Sequence, residues 1–121
     1  MPKSILVVDD AGSMRGLIAM TLRSNGYEAV EACDGLDGLD KLTQNKFDMI
    51  LTDLNMPNMN GIEMIRQIKA QAQYRFIPIV MLTTESEESK KQQGQQAGAK
   101  AWIVKPFKPD TLLNVVKKII G

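Results

Sequence analysis

Five short β-rich runs alternate with five stretches of helical periodicity along this chain, and that alternation limits the fold more than any other feature. The runs cover residues 4–8, 28–32, 49–52, 77–82 and 101–104, each of strand length and bounded by turn-forming residues. Parallel neighbours need a long crossover, usually a helix, so the repeats predict one doubly wound five-stranded parallel sheet with helices on both faces. The run from Ile77 to Leu82 is apolar at nearly every position, as a central strand buried on both faces should be.

The intervening stretches carry their own signals. Met14, Leu17, Ile18, Thr21 and Leu22 recur at the spacing of one helix face, with Gly26 beyond as a terminator. Leu36, Leu39 and Leu42 mark a second helix after Asp34, and Asn60 with Glu63 opens a third that carries Ile62, Ile65 and Ile68. Pro109 suits the first turn of the last helix, whose Leu112, Leu113, Val116, Ile119 and Ile120 form an apolar stripe. The fourth helix differs. Thr84 and Glu87 form a capping box and Gly98 ends the segment, but between them lie mostly Glu, Lys and Gln. Packing of an apolar face supplies most helical stability in proteins, so this helix is expected to be weakly anchored.

Length and composition narrow the function. The chain of 121 residues is expected to be a single domain, 1–121. Its longest apolar runs fall far short of the roughly 20 residues that span a bilayer, and Asp9-Asp10 cut short the first of them, so neither an anchor nor a signal segment is expected. One cysteine, Cys33, forms no internal disulfide, which fits a reducing, cytoplasmic setting. Histidine is absent, which excludes Ser-His-Asp and Cys-His catalysis and His-built zinc sites. No glycine-rich nucleotide loop occurs. Any resident metal must then be a hard cation held by oxygen. Charge is divided: residues 1–60 hold nine carboxylates against five cations, residues 61–121 ten cations against five carboxylates. The doublets Lys90-Lys91 and Lys117-Lys118 lie on predicted helices without interleaved aromatics, so nucleic acid is not expected as a partner. They are either a solvated face or a docking face for an acidic protein.

In such sheets ligands sit at the carboxyl ends of the strands. Strand one ends in Asp9-Asp10, strand three runs into Asp53, strand four ends in Thr83-Thr84 and strand five in Lys105-Pro106; only strand two lacks an obvious chemical group there. Each has a plain reading on its own, as a turn residue, a helix cap or a solvated lysine. Together they converge on one rim. Three neighbouring carboxylates stay ionised best around a cation, hard oxygen ligands favour Mg²⁺, and an ionised Asp beside it is a competent nucleophile towards phosphorus. Phosphoryl transfer then needs charge neutralisation more than acid–base help.

Asp9-Asp10, Asp53 with Asn55-Met56-Pro57 and Gly61, Thr83, and Lys105-Pro106-Phe107 together resemble the receiver domain of two-component response regulators. The match runs the length of the chain and is most similar to the stand-alone chemotaxis type. The resemblance implies a flavodoxin-like strand order 2-1-3-4-5, with Asp53 as the phosphoacceptor, served by a histidine kinase. It implies Mg²⁺ held by Asp10 directly, by Asp9 mostly through water, by Asp53, and by the Asn55 backbone carbonyl. Lys105 would pair with the phosphoryl group, Thr83 would hydrogen-bond it, and the Lys105–Pro106 peptide would be cis. Asn55 and Glu85 stand where that family tunes dephosphorylation. Two positions depart from the pattern: the switch aromatic, commonly Tyr, is Trp102, and Thr84 stands where a small alanine is common.

The implied protein is a monomeric signalling switch rather than an enzyme, promoting its own phosphorylation and dephosphorylation. Its target would be a protein, with a flagellar motor switch as the chemotaxis case and a relay intermediate or phosphate sink as alternatives. The sequence continues for one helix after strand five, so no DNA-binding output domain is expected. Two other classes compete. A flavin carrier shares this strand order but needs hydroxyl-rich phosphate contacts after strand one and stacking aromatics. A phosphatase with an aspartyl nucleophile usually has a second Asp two residues on, where this chain has Asn55.

Overall fold

The computed structural model describes residues 2–84 and 88–121. Ten α and β elements follow one another: β1 Ser4–Val8, α1 Gly12–Arg23, β2 Glu28–Ala32, α2 Gly35–Gln44, β3 Met49–Thr52, α3 Gly61–Lys69, β4 Ile79–Thr83, α4 Glu88–Ala97, β5 Ala101–Val104 and α5 Pro109–Ile120, with a 3₁₀ turn Ala72–Tyr74 after α3. The strands form one parallel sheet in the order β2-β1-β3-β4-β5, the doubly wound topology that the sequence predicts. No described helix is long and apolar enough to cross a membrane.

The sheet separates two apolar layers. Ile5, Val7, Leu51, Val80 and Leu82 face α1 and α5, meeting Ile18, Leu22, Leu112 and Val116. Leu6, Val8, Ile50, Ile79 and Met81 face the opposite way, towards Leu42 of α2 and Ile62, Met64, Ile65 and Ile68 of α3. Alternate residues of a strand point to opposite faces, so the three central strands are apolar at nearly every position; every residue of β3 and β4 is buried, including Thr52 and Thr83 at their ends.

Caps fall where the side chains demand them. The Asp34 side chain accepts the Asp37 N–H to open α2, Asn60 accepts the Glu63 N–H to open α3, and Pro109 occupies the first turn of α5. Gly26 and Gly98 take positive φ, 90° and 123°, just past α1 and α4. Thr84 is described but Glu87 lies outside the described residues, so the expected capping box is half visible. Gly38 is buried because α2 and α3 meet there: a Cβ would stand 2.9 Å from the Met64 Sδ.

Two expectations need correction. The fourth strand begins at Ile79 rather than Ile77, and it includes Thr83. Pro78 has no N–H for the ladder, the Ile77 N–H turns back to the Tyr74 carbonyl, and only the Pro78 carbonyl pairs, with the Ile50 N–H at 3.0 Å. Leu17 and Leu36 belong to the predicted apolar faces, yet they are 51% and 52% exposed. They lie at the margins of stripes centred on Ile18 and Leu22 in α1 and on Gly38 and Leu42 in α2.

Candidate functional site

Register brings the strand-end groups together. Val8 of β1 is paired with both Ala32 of β2 and Thr52 of β3, so the next residues, Asp9 and Asp53, leave the sheet side by side. The Asp9 N–H continues the ladder to the Ala32 carbonyl at 3.1 Å, and the Asp53 N–H to the Val8 carbonyl at 2.9 Å. On the other side Thr83 pairs with Val104, and the Lys105 N–H donates to the Thr83 carbonyl at 2.8 Å. The Lys105–Pro106 peptide is cis, as the resemblance implies.

Lys105 reaches back across the rim. Its Nζ donates to Asp9 Oδ2 at 2.8 Å and lies 3.6 Å from Asp53 Oδ2. Asp9 is 2% exposed, and its other oxygen accepts the Ala11 N–H at 2.9 Å. The plain reading of Asp9 as a turn residue therefore holds, while its second oxygen faces Lys105 on the rim. Asp53 Oδ1 accepts the Leu54 N–H at 2.8 Å. Asp10 is exposed at the mouth of the site, and Asp9, Asp10 and Asp53 each offer one carboxylate oxygen, all within 4.8 Å of one another.

Three carboxylates face one ammonium here. Burial pushes the Asp53 carboxyl above its ordinary value; the Asp9 and Asp10 charges add to this, while Lys105 and the Leu54 N–H oppose it. A divalent cation would relieve the excess negative charge, and all-oxygen donors suit Mg²⁺. The donor set fits it.

The loop after β3 is held to its course by two constraints. The Gly61 N–H donates to the Leu54 carbonyl at 2.8 Å, and a Cβ at Gly61 would lie 2.2 Å from the Asp53 carbonyl oxygen. Only glycine fits. Asn58 adopts φ 67° and donates from Nδ2 to Asp34 Oδ2 at 2.8 Å, tying this loop to the α2 cap. Asn55 is exposed on the same loop, two residues past Asp53. Thr83 is fully buried at the end of β4. Trp102 is half-buried on β5 beside Met81, and a Cβ at Gly94 of α4 would stand 2.9 Å from Trp102 Cζ3 and 3.0 Å from Met81 Sδ. Glu85 lies outside the described residues.

The sequence reading misses one pair. Arg15 of α1 donates from Nη1 to the Asp9 carbonyl at 2.8 Å and from Nε to Glu31 Oε1 at 3.1 Å. Strand two, which offers no group at its end, thus contributes Glu31 to position the Asp9 backbone. The only available hint is a cation in the first turns of α1, and it reads as ordinary solvated charge.

The model of the response regulator receiver domain matches residues 5–117. The phosphate regulon transcriptional regulatory protein PhoB of Pseudomonas aeruginosa is 39% identical over 118 residues, which are 98% of this chain and 52% of PhoB. The chain thus spans about half the length of that relative. Chemotaxis protein CheY4 of Vibrio cholerae superposes with a TM-score of 0.94 at 44% identity, covering 98% of this chain and 99% of CheY4. The receiver domain of sensor histidine kinase PA1611 from Pseudomonas aeruginosa, solved with a magnesium ion coordinated in its active-site cleft, superposes with a TM-score of 0.91 at 30% identity over 100% of this chain and 99% of that one. With the strand order and the rim of Asp9, Asp10, Asp53 and Lys105, these likenesses make the chain a member of the response regulator receiver domain family.

Proposed function

We propose that the protein is a phosphorylation switch in which Asp53 accepts a phosphoryl group from the phosphohistidine of a histidine kinase. The observation that carries this reading is the Asp53 carboxylate at the strand ends, flanked by Asp9, Asp10 and Lys105. Asp53 Oδ2, the oxygen without the Leu54 N–H, attacks phosphorus. The new O–P bond forms as the N–P bond breaks, and the electron pair leaves with the imidazole nitrogen. Lys105 transfers its attraction from the carboxylates to the phosphoryl oxygens, while the Thr83 hydroxyl hydrogen-bonds the product. Asp9, Asp10, Asp53 and the Asn55 carbonyl would hold Mg²⁺, which supplies neutralisation of the gathered negative charge. Asn55 and Glu85 tune the return of the acyl phosphate to water. Trp102 reports the phosphorylated state to a protein partner. The similarity to CheY4, a chemotaxis protein, over nearly the whole of both chains supports a chemotaxis role; the target in that case would be a flagellar motor switch.

Acetyl phosphate with Mg²⁺ tests the site directly. The parent should form an acyl phosphate visible by intact-mass spectrometry, and Asp53→Asn should form none, because an amide is not the required nucleophile. Full labelling of Asp53→Asn would overturn the assignment. For the partner, capture with and without beryllofluoride should retain a motor-switch protein only with it. Equal capture in both states rejects the chemotaxis reading.

A further inference from the structure

The basic excess of the second half of the chain is not used at the phosphorylation rim, which takes only Lys105. Part of it gathers at the opposite end of the sheet. There an open cleft of about 660 Å³ is lined by Lys3, Lys69, Arg75 and Lys100, against the single carboxylate Asp48. These residues lie at or near the amino ends of the strands: Lys3 precedes β1, Asp48 precedes β3, and Lys100 precedes β5. Topology alone therefore separates this cleft from Asp53 by the length of the sheet.

Three features mark the cleft as built for an anion. Among the described residues no carboxylate forms an ion pair with any of its four cations, a state they share with Lys46, Lys108, Lys117 and Lys118; what sets them apart is that they line one cleft, where Lys3 donates to the Ile120 carbonyl. Asp48, whose Oδ2 accepts the Ser4 N–H at 2.8 Å, sets one negative charge against four positive ones. Lys69 is held in place rather than loosely solvated. Its Nζ donates to the Arg75 and Ile77 carbonyls, both at 2.7 Å, its stem runs beside Gly98, where a Cβ would meet Lys69 Cγ at 2.9 Å, and burial draws its ammonium below the ordinary value. An ammonium has three donors, so one remains for a ligand. Gathered like charges raise the local concentration of an anion.

Phe76 supplies the selectivity. It stands at the cleft beside Arg75 and is 89% exposed, the most exposed large apolar side chain described. A bare ring next to cations that hold no carboxylate suits a ligand with a planar face and negative charge, through stacking and ion pairing together. We propose that this cleft binds a small phosphate-bearing anion with a planar ring, a nucleotide in chemical class, with Lys69 and Lys100 on the phosphates and Phe76 on the ring. The site is independent of the phosphorylation reading, because it shares no residue with that rim.

Titration of the whole chain with ADP, pyrophosphate and adenosine, followed by amide chemical shifts with EDTA present, tests the proposal. Both anions should bind with shifts centred on Lys69, Phe76 and Lys100; adenosine should not bind. Lys100→Ala should weaken both anions about tenfold, the scale of one charge-assisted hydrogen bond. Lys69→Met should do the same, and since it also releases two backbone carbonyls, the exposed Lys100 and Arg75→Ala keep the test independent of folding. Phe76→Ala should weaken ADP about tenfold and leave pyrophosphate unchanged, the expected loss of one stacked base. Asp53→Asn should alter neither. Absence of saturable binding by both anions, undiminished binding in Lys100→Ala, or shifts centred on Asp53 would each overturn the site. So would an oligoglutamate peptide that binds there when neither small anion does.

Discussion

Asp34 shows how a single carboxylate outside the strand-end rim helps to fix the loop beside it. Its oxygens accept the Asp37 N–H, which opens α2, and the Asn58 amide, which fixes the loop carrying Asn55. These hydrogen bonds, the Asp37 N–H first and Asn58 second, hold the Asp34 carboxyl below the ordinary carboxylate range. A depressed value means that the unfolded chain binds the proton more readily. The stabilisation is therefore complete above the ordinary carboxylate value and is lost as pH falls through the depressed one. Asp34→Ala should cost about 1 kcal/mol at neutral pH, the scale of a lost helix cap. Urea denaturation should show that gap closing in acid; a gap independent of pH would reject the ionised cap. At this scale the sequence displays Asp9, Asp10, Asp53 and Lys105 openly, since each ends a strand and needs only the strand's position to be found. Arg15–Glu31 and Asp34–Asn58 stay hidden, because each pairs residues from different elements and only the packed fold brings them together.

Among the elements, α4 joins a polar surface to a close contact. Its polar composition is plain in the sequence, and among its described side-chain positions the one buried is Gly94, against Trp102 and Met81. Gly in a helix interior costs about 1 kcal/mol relative to Ala, so Gly94→Ala would stabilise an isolated helix. In the folded protein the new methyl meets a ring and a sulfur at 3.0 Å or less, and overpacking of that kind costs about 1–3 kcal/mol. The overpacking should win. Gly94→Ala is expected to lower stability by about 1 kcal/mol and to shift Trp102 emission; a stabilised variant with unchanged emission would mean that α4 yields freely. The polar character of α4 is legible because composition is local, but the purpose of Gly94 is not, since it depends on a ring that comes from β5. The same divide explains the other errors. Periodicity finds the stripes of α1 and α2 but not their margins, where Leu17 and Leu36 are exposed, and hydrophobicity finds β4 but not the break that Pro78 imposes.

Across the whole molecule the sheet links the rim to the surface that α4 and β5 present. The Lys105 N–H is bonded to the Thr83 carbonyl, Thr83 is paired with Val104, and Trp102 precedes Val104 by two residues on the same strand. In the proposed switch, a phosphoryl group on Asp53 draws both Lys105 and the Thr83 hydroxyl. That pull would act at the end of β4, the strand that precedes the polar helix α4. The Trp102 ring, packed against Gly94, would then take a second arrangement, phosphorylation biasing two states rather than creating one. Lys90 and Lys91 on α4 would be re-presented to an acidic partner in the same motion. Trp102 is the chain's one tryptophan, so its fluorescence follows the change without a label. Mg²⁺ with beryllofluoride should alter its emission and quencher access in the parent and leave Asp53→Asn unchanged, while Thr83→Ala should blunt the response. Pyrophosphate at the far end of the sheet should leave the signal untouched, because the basic cleft contacts neither Thr83 nor Lys105. Emission that stays constant at saturating beryllofluoride would show that the signal leaves Asp53 by a route other than β4, α4 and Trp102.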